Sequence, residues 1–281
     1  MLGLPRARLL MMMAAVVLAA HRVTAQVVEH PDSTPAKTDD SWFSRRDAFY
    51  FGGAIAATAA FAPLDHPVQH EFDEPHWRSS TWLPHVAGDI AFFGGDGPFV
   101  ASAAMFAVGS AMGGSKLQRF ALHNMEAIAL ATVLTGIGKG ITGRALPDVS
   151  TNHSFQWGRG FHDANGPFVS FPSGHTAAAF AMASTVVGEF ATGDSAHAGL
   201  IRRASYGLAA AVGVARVAQR VHWTSDLPLA AMIGVWSGRT VQSHAGGSGK
   251  VSALLRGLTL SPGAGGRVRL GWSGTAAATE R

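Results

Sequence analysis

Apolar residues gather in six stretches, at about 48–63, 97–113, 121–138, 176–192, 204–215 and 227–238, with polar segments between them. None alternates with period two over a useful length, so each is read as a helix. Most fall short of the ~20 residues that span a bilayer comfortably. Helix-start signals agree: Ser173 and Gly174 stand where a cap belongs, and Pro228 fits the first turn of the last helix. The pattern predicts an all-α fold, a bundle of about six core helices over residues 47–240, embedded in or lying on a membrane.

Both ends differ in character. Residues 26–46 are polar. Beyond residue 240, Gly246, Gly247, Ser248 and Gly249 read as a linker within a tail at 241–281. In that tail, Leu258-Thr259-Leu260 and Val268-Arg269-Leu270-Gly271-Trp272 flank a Pro-Gly-rich turn, the signature of a short β-like hairpin. Residues 1–25 read as an export signal. Arg6 and Arg8 form a positive start, Leu9 to Ala20 a short apolar core, and Ala25 supplies the small residue that cleavage needs.

Positive charge is placed unevenly. Arg45 and Arg46 precede the first stretch, Lys116 and Arg119 part the second from the third, Arg202 and Arg203 part the fourth from the fifth, and Arg239 follows the sixth. The positive-inside rule turns this into six spans with both ends in the cytoplasm and the intervening loops outside. A cleaved signal with six strict spans would reverse that orientation. An uncleaved signal, a stretch that does not cross, or a peripheral exported bundle each removes the conflict. The expected location is the bacterial inner membrane or periplasm, with the functional loops outside the cytoplasm.

Charged residues are only 14% of the chain, against about 25% in soluble domains, which leans the same way. The net charge is +4. The basic residues are scattered, with no lysine-rich run and no interleaved aromatics, which argues against a nucleic-acid partner. Cysteine is absent, which removes disulfide, thiolate and cysteine-zinc chemistry.

The chemistry lies in three patches at the edges of apolar runs. They are Lys139-Gly-Ile-Thr-Gly-Arg144-Ala-Leu-Pro147, Pro172-Ser173-Gly174-His175, and Arg216-Val-Ala-Gln-Arg-Val-His222-Trp-Thr-Ser-Asp226. A helix start at Ser173-Gly174 offers free backbone N–H groups to an anion, and His175 can protonate a leaving oxygen. His222 lies six positions after Arg216, which on a continuous helix would put the two on different faces, so the chain must turn between them. Asp226 is near enough to hold the imidazole and favour its positive form. Lys139 and Arg144 can clamp phosphate oxygens. A nucleotide-binding loop is rejected, because Val133 and Gly140 occupy positions that need Gly and Ser/Thr. The cluster His66, His70, Glu71, Asp73, Glu74 and His76 invites a metal, but a polar loop between helices explains it more simply. No metal or other cofactor is expected.

In order and spacing the patches resemble the type 2 phosphatidic acid phosphatase superfamily, shared with class A acid phosphatases and vanadium haloperoxidases. The likeness covers about residues 48–240. The serine patch matches in full. Arg216, His222 and Asp226 match at the family spacing, with Ala215 in place of a usual serine. Lys139 and Pro147 match, but Leu146 stands where the family has an arginine. The resemblance implies a metal-independent phosphatase acting on a phosphorylated lipid or small phosphate ester through a phosphohistidine. His222 would be the nucleophile, Asp226 its orienting partner and His175 the general acid. Lys139, Arg216, Ser173 and Gly174 would hold phosphate. Pro147 biases its predecessor towards an extended backbone, where residues two apart share a side. Arg144 is therefore expected to stand in for the missing guanidinium. The alternatives are a vanadate-dependent haloperoxidase, and a weakly active membrane protein that binds phosphorylated lipid.

Overall fold

The computed structural model describes residues 42–112, 116–149, 154–158, 166–193 and 195–244, with the backbone of two short strands at 258–262 and 268–272. The export signal at 1–25 and residues 26–41 of the polar segment lie outside the described residues.

Helix α1, Arg45–Phe61, starts at a capping box. The Asp47 backbone N donates to Ser44 Oγ at 3.1 Å, and the Ser44 backbone N donates back to Asp47 Oδ2 at 2.8 Å. After a tight turn come α2, Asp65–Asp73; the single-turn α3, Pro75–Arg78; and α4, Leu83–Phe92. The long elements follow: α5, Asp96–Ala111; α6, Lys116–Thr142; α7, Gly174–Phe190; α8, Ala196–Ala218; and α9, Leu227–His244. The first predicted stretch overlaps α1, and the other five overlap α5 to α9 in turn.

The region 65–92 departs from expectation. The acidic, histidine-rich part is helical rather than loop. Its helices are short, and Pro75 and Pro84 open two of them. Helices of ten residues or fewer hold together by packing rather than by their own propensity, and too few turns leave no readable period.

Helix α7 is the centre of the bundle, packed on α6, α8 and α9. Its buried face is nearly all small: Ala177, Ala178, Ala179, Ala181, Ala183 and Ser184. Small faces let backbones approach closely, which accounts for the alanine and glycine in the sequence. Gly234 on α9 shows the limit. A Cβ there would stand 2.2 Å from the Ala177 carbonyl oxygen, so no side chain fits at this crossing. Phe180, Tyr206, Val212 and Val235 fill the α7–α8–α9 side, and a buried polar chain ties α5 to α6 and α7. In it Asn124 Nδ2 donates to Ser102 Oγ at 2.7 Å, and Thr185 Oγ1 donates to Asn124 Oδ1 at 2.7 Å.

Among the described residues, Lys116–Thr142 is one helix long and apolar enough to cross a membrane, and Leu83–Phe92 with Asp96–Ala111 pass as a pair bent by 41°. Core helices share these properties, so this is weak support for membrane placement and does not reproduce six spans. In the tail, strands Leu258–Pro262 and Val268–Trp272 pair antiparallel, Leu258 opposite Trp272.

Candidate active site

The three patches meet where α6, α7 and α8 end or begin. After α6 the chain runs beside the segment leading into α7. Leu146 N donates to the Pro167 carbonyl at 2.8 Å, and Ser170 N to the Arg144 carbonyl at 3.0 Å. Ser173 then caps α7, its Oγ accepting from Thr176 N, and its own N donates to the Asp226 carbonyl at 3.3 Å. Helix α8 stops at Ala218, just past Arg216. Arg220 adopts a left-handed φ of 61° and turns the chain, so His222 falls back towards Arg216. Trp223, fully buried, fastens this turn to the first patch through Nε1 to the Ala145 carbonyl at 2.9 Å.

His222 and Asp226 are both buried, with Nδ1 of the imidazole 3.4 Å from Oδ2 of the carboxylate. Oδ2 also accepts from Ser170 Oγ at 2.5 Å and from Trp223 N at 2.8 Å, while Oδ1 pairs with Arg144. Burial alone would raise the Asp226 pKa, but its donors His222, Arg144 and Ser170 hold it below the usual carboxylate range. Burial pushes the His222 pKa down; Asp226 opposes this and Lys139 and Arg216 add to it. The imidazole is thus kept neutral, as a nucleophile must be.

Positive groups surround it. Arg216 Nη1 donates to Gln219 Oε1 at 2.7 Å, and its buried Nε has no hydrogen-bond partner among the described residues. His175 is pushed down to about 4 by burial and by Arg216, His222 and Lys139. A Cβ on Gly174 would be 3.9 Å from Lys139 Nζ, which places that ammonium at the start of α7. The turn before α5 closes on the general-acid candidate. A Cβ on Gly94 would stand 2.4 Å from the His175 carbonyl oxygen, and one on Gly95 3.3 Å from His175 Nε2. Sequence reading missed these two glycines, because nothing local ties residue 94 to residue 175. Groups that raise one another's electrostatic energy, with an unpartnered buried donor among them, form a site for an anion.

Of the expected site residues, His222, Asp226, His175, Lys139, Arg216, Ser173 and Gly174 converge here. Arg144 does not join the cations. Its guanidinium lies behind Asp226, buried to 1% exposure and committed to protein groups. Nε donates to the Ser154 carbonyl at 2.8 Å, Nη1 to Ser225 Oγ at 2.8 Å and to Asp226, and Nη2 to Asp65 Oδ2 at 2.6 Å. The extended-backbone argument could not see Asp65, which takes the same guanidinium from the start of α2. The acidic histidine segment resolves into separate pairs: His70 with Glu74, His76 with Glu71, and Asp73 with Arg220.

The depressed histidine pKa values carry a prediction. Between pH 6.5 and about 4 the unfolded chain takes up a proton at residue 175 that the folded chain refuses. Stability is therefore fully present above about 6.5 and declines as pH falls through this window. A bound oxyanion reverses the local field and favours the protonated imidazole. The gain in Tm from added vanadate should then grow as pH falls, and His175→Gln should flatten both trends. Thermal melts with and without vanadate across this range check it.

The family model of the PAP2 superfamily matches residues 120–244. The matched stretch holds all three patches, and the superfamily resemblance seen in their spacing is thereby shown. No curated protein and no solved structure matches the chain.

Proposed function

We propose that the chain is a phosphatase in which His222 attacks the phosphorus of a phosphate ester. The superfamily match supports a phosphoric ester hydrolase in general. The observation that carries the finer reading is the neutral, buried His222, backed by Asp226 and ringed by Lys139, Arg216 and His175. His222 Nε2 forms a bond to phosphorus as the ester P–O bond breaks. His175 gives its proton to the departing alkoxide, and the bound phosphoryl group itself raises His175 into a range where it holds that proton. Water then attacks the phosphohistidine, with His175 taking a proton from it, and inorganic phosphate leaves. Arg216 Nε, Lys139, Ser173 and the N–H groups at the start of α7 stabilise the charge that develops on the phosphoryl oxygens.

The leaving alcohol passes His175 Nε2, beside Gly95. The helices meeting at this turn expose Phe92, Phe93 and Phe99. An apolar alcohol, as in a lipid phosphate, fits these surroundings better than a sugar. A second reading, a phosphate binder with little turnover, has Leu146 in its favour: Arg144 does not replace the guanidinium missing there.

A panel of phosphate esters decides between them. The expected result is phosphate release that survives EDTA, is inhibited by vanadate and is fastest with apolar alcohols. Vanadate binding without release from any ester would establish the binder instead.

A further inference from the structure

The buried cluster behind Asp226 contains one acid that lies outside both the matched family stretch and the three motif patches. Asp65 opens α2 at 1% exposure. Its Oδ1 accepts from Ser225 N at 2.8 Å, and its Oδ2 accepts from Ser225 Oγ at 2.7 Å and Arg144 Nη2 at 2.6 Å. Burial pushes its pKa up, Arg144 and Ser225 oppose this, and all its partners donate, which is the pattern of an ionised carboxylate. The guanidinium of Arg144 thus sits between two buried carboxylates, Asp65 and Asp226.

We propose that Asp65 is a positioning residue of the reaction: it shares Arg144 with Asp226, so that Asp226 keeps the negative charge needed to hold His222 and to stabilise it as it becomes positive. This rests on the phosphatase reading above and adds a residue to it. The argument is one of charge. Asp65, Arg144 and Asp226 together carry one net negative charge. Without the Asp65 charge, Arg144 and Asp226 cancel, and His222 faces Lys139 and Arg216 with no net counter-charge. Attack on phosphorus places positive charge on His222, so it would slow. Geometry adds to this: Ser225 precedes Asp226, and Asp65 grips both its backbone N and its hydroxyl.

A merely structural role has the opposite signature. If Asp65 only fastened α2 to the turn, its loss would loosen the site, admit water and let the His222 pKa drift up towards its ordinary value. Charge sharing moves it the other way. The groups acting on His222 are Asp226, Lys139, Arg216 and His175, and both variants below leave them in place.

The test is NMR titration of the His222 ring in the full chain, phosphate-free and saturated with inorganic phosphate, with thermal melts to confirm folding. Asp65→Asn should lower the His222 pKa by about one unit, and Arg144→Gln, which frees Asp226, should raise it by a similar amount. The double variant should return near the wild-type value. Asp65→Asn should also lower kcat about tenfold with KM unchanged. A His222 pKa that rises or stays put in Asp65→Asn would overturn the proposal, whatever happens to activity. Failure to bind phosphate would sink the phosphatase reading alone, because the direction of the phosphate-free shift still judges Asp65.

Discussion

His222→Ala should lower kcat by about 10⁴- to 10⁶-fold, the scale for removing a covalent nucleophile, while phosphate binding falls by less than about tenfold. The separation follows from the layout. Lys139, Arg216, Ser173 and the start of α7 are untouched, and they supply the anion site. What is lost is a buried imidazole with a carboxylate on Nδ1, leaving Nε2 for phosphorus. No described neighbour replaces it, since His175 has Arg216, His222 and Lys139 rather than a carboxylate acting on it. Folding should survive. His222 is buried neutral, so its removal strands no charge. Steady-state kinetics beside phosphate-binding calorimetry make the comparison. Near wild-type turnover in this variant would remove His222 from the reaction.

Asp226→Asn should have the second largest effect, on the order of 10³- to 10⁴-fold in kcat, as for the aspartate behind a catalytic histidine. Asp226 accepts from Arg144, Ser170, Trp223 N and His222 and is fully buried. An amide keeps one acceptor and turns two N–H groups on donors that need an oxygen. The imidazole then loses the partner that sets its tautomer and offsets its developing charge. Breaking one side of a buried pair also costs about 3 kcal/mol of stability, at the low end for such pairs because Asp65 still holds Arg144. Phosphate should bind as well as before, or slightly better, because a nearby negative charge has gone. Denaturant melts and single-turnover rates on the same samples read both effects. A variant stable and fast in turnover would show that Asp226 only caps the turn.

Much of this site was legible in the sequence, for a physical reason. Residues at helix ends are fixed by local rules. Ser173 reads as a cap, Arg216 as the last turn of one helix and Asp226 as the start of the next. Side-by-side packing of the apolar runs then brings those ends together. Arg144 was misread because its partner is distant: Asp65 lies 79 residues away, and no local pattern marks it. Gly94 and Gly95 escaped for the same reason, their meaning being the His175 backbone and ring they touch. The short helices over 65–92 hid because ten residues or fewer carry no clear period and prolines interrupt them.

The central claim is a covalent bond between phosphorus and His222. A radiolabelled phosphate ester, mixed with the enzyme and quenched within one turnover, tests it most directly. The predicted result is a labelled protein, stable in base and labile in acid, whose label maps to the peptide bearing His222 and is absent from His222→Ala. Turnover with no labelled protein at any quench time, or label on a serine-bearing peptide, would contradict it.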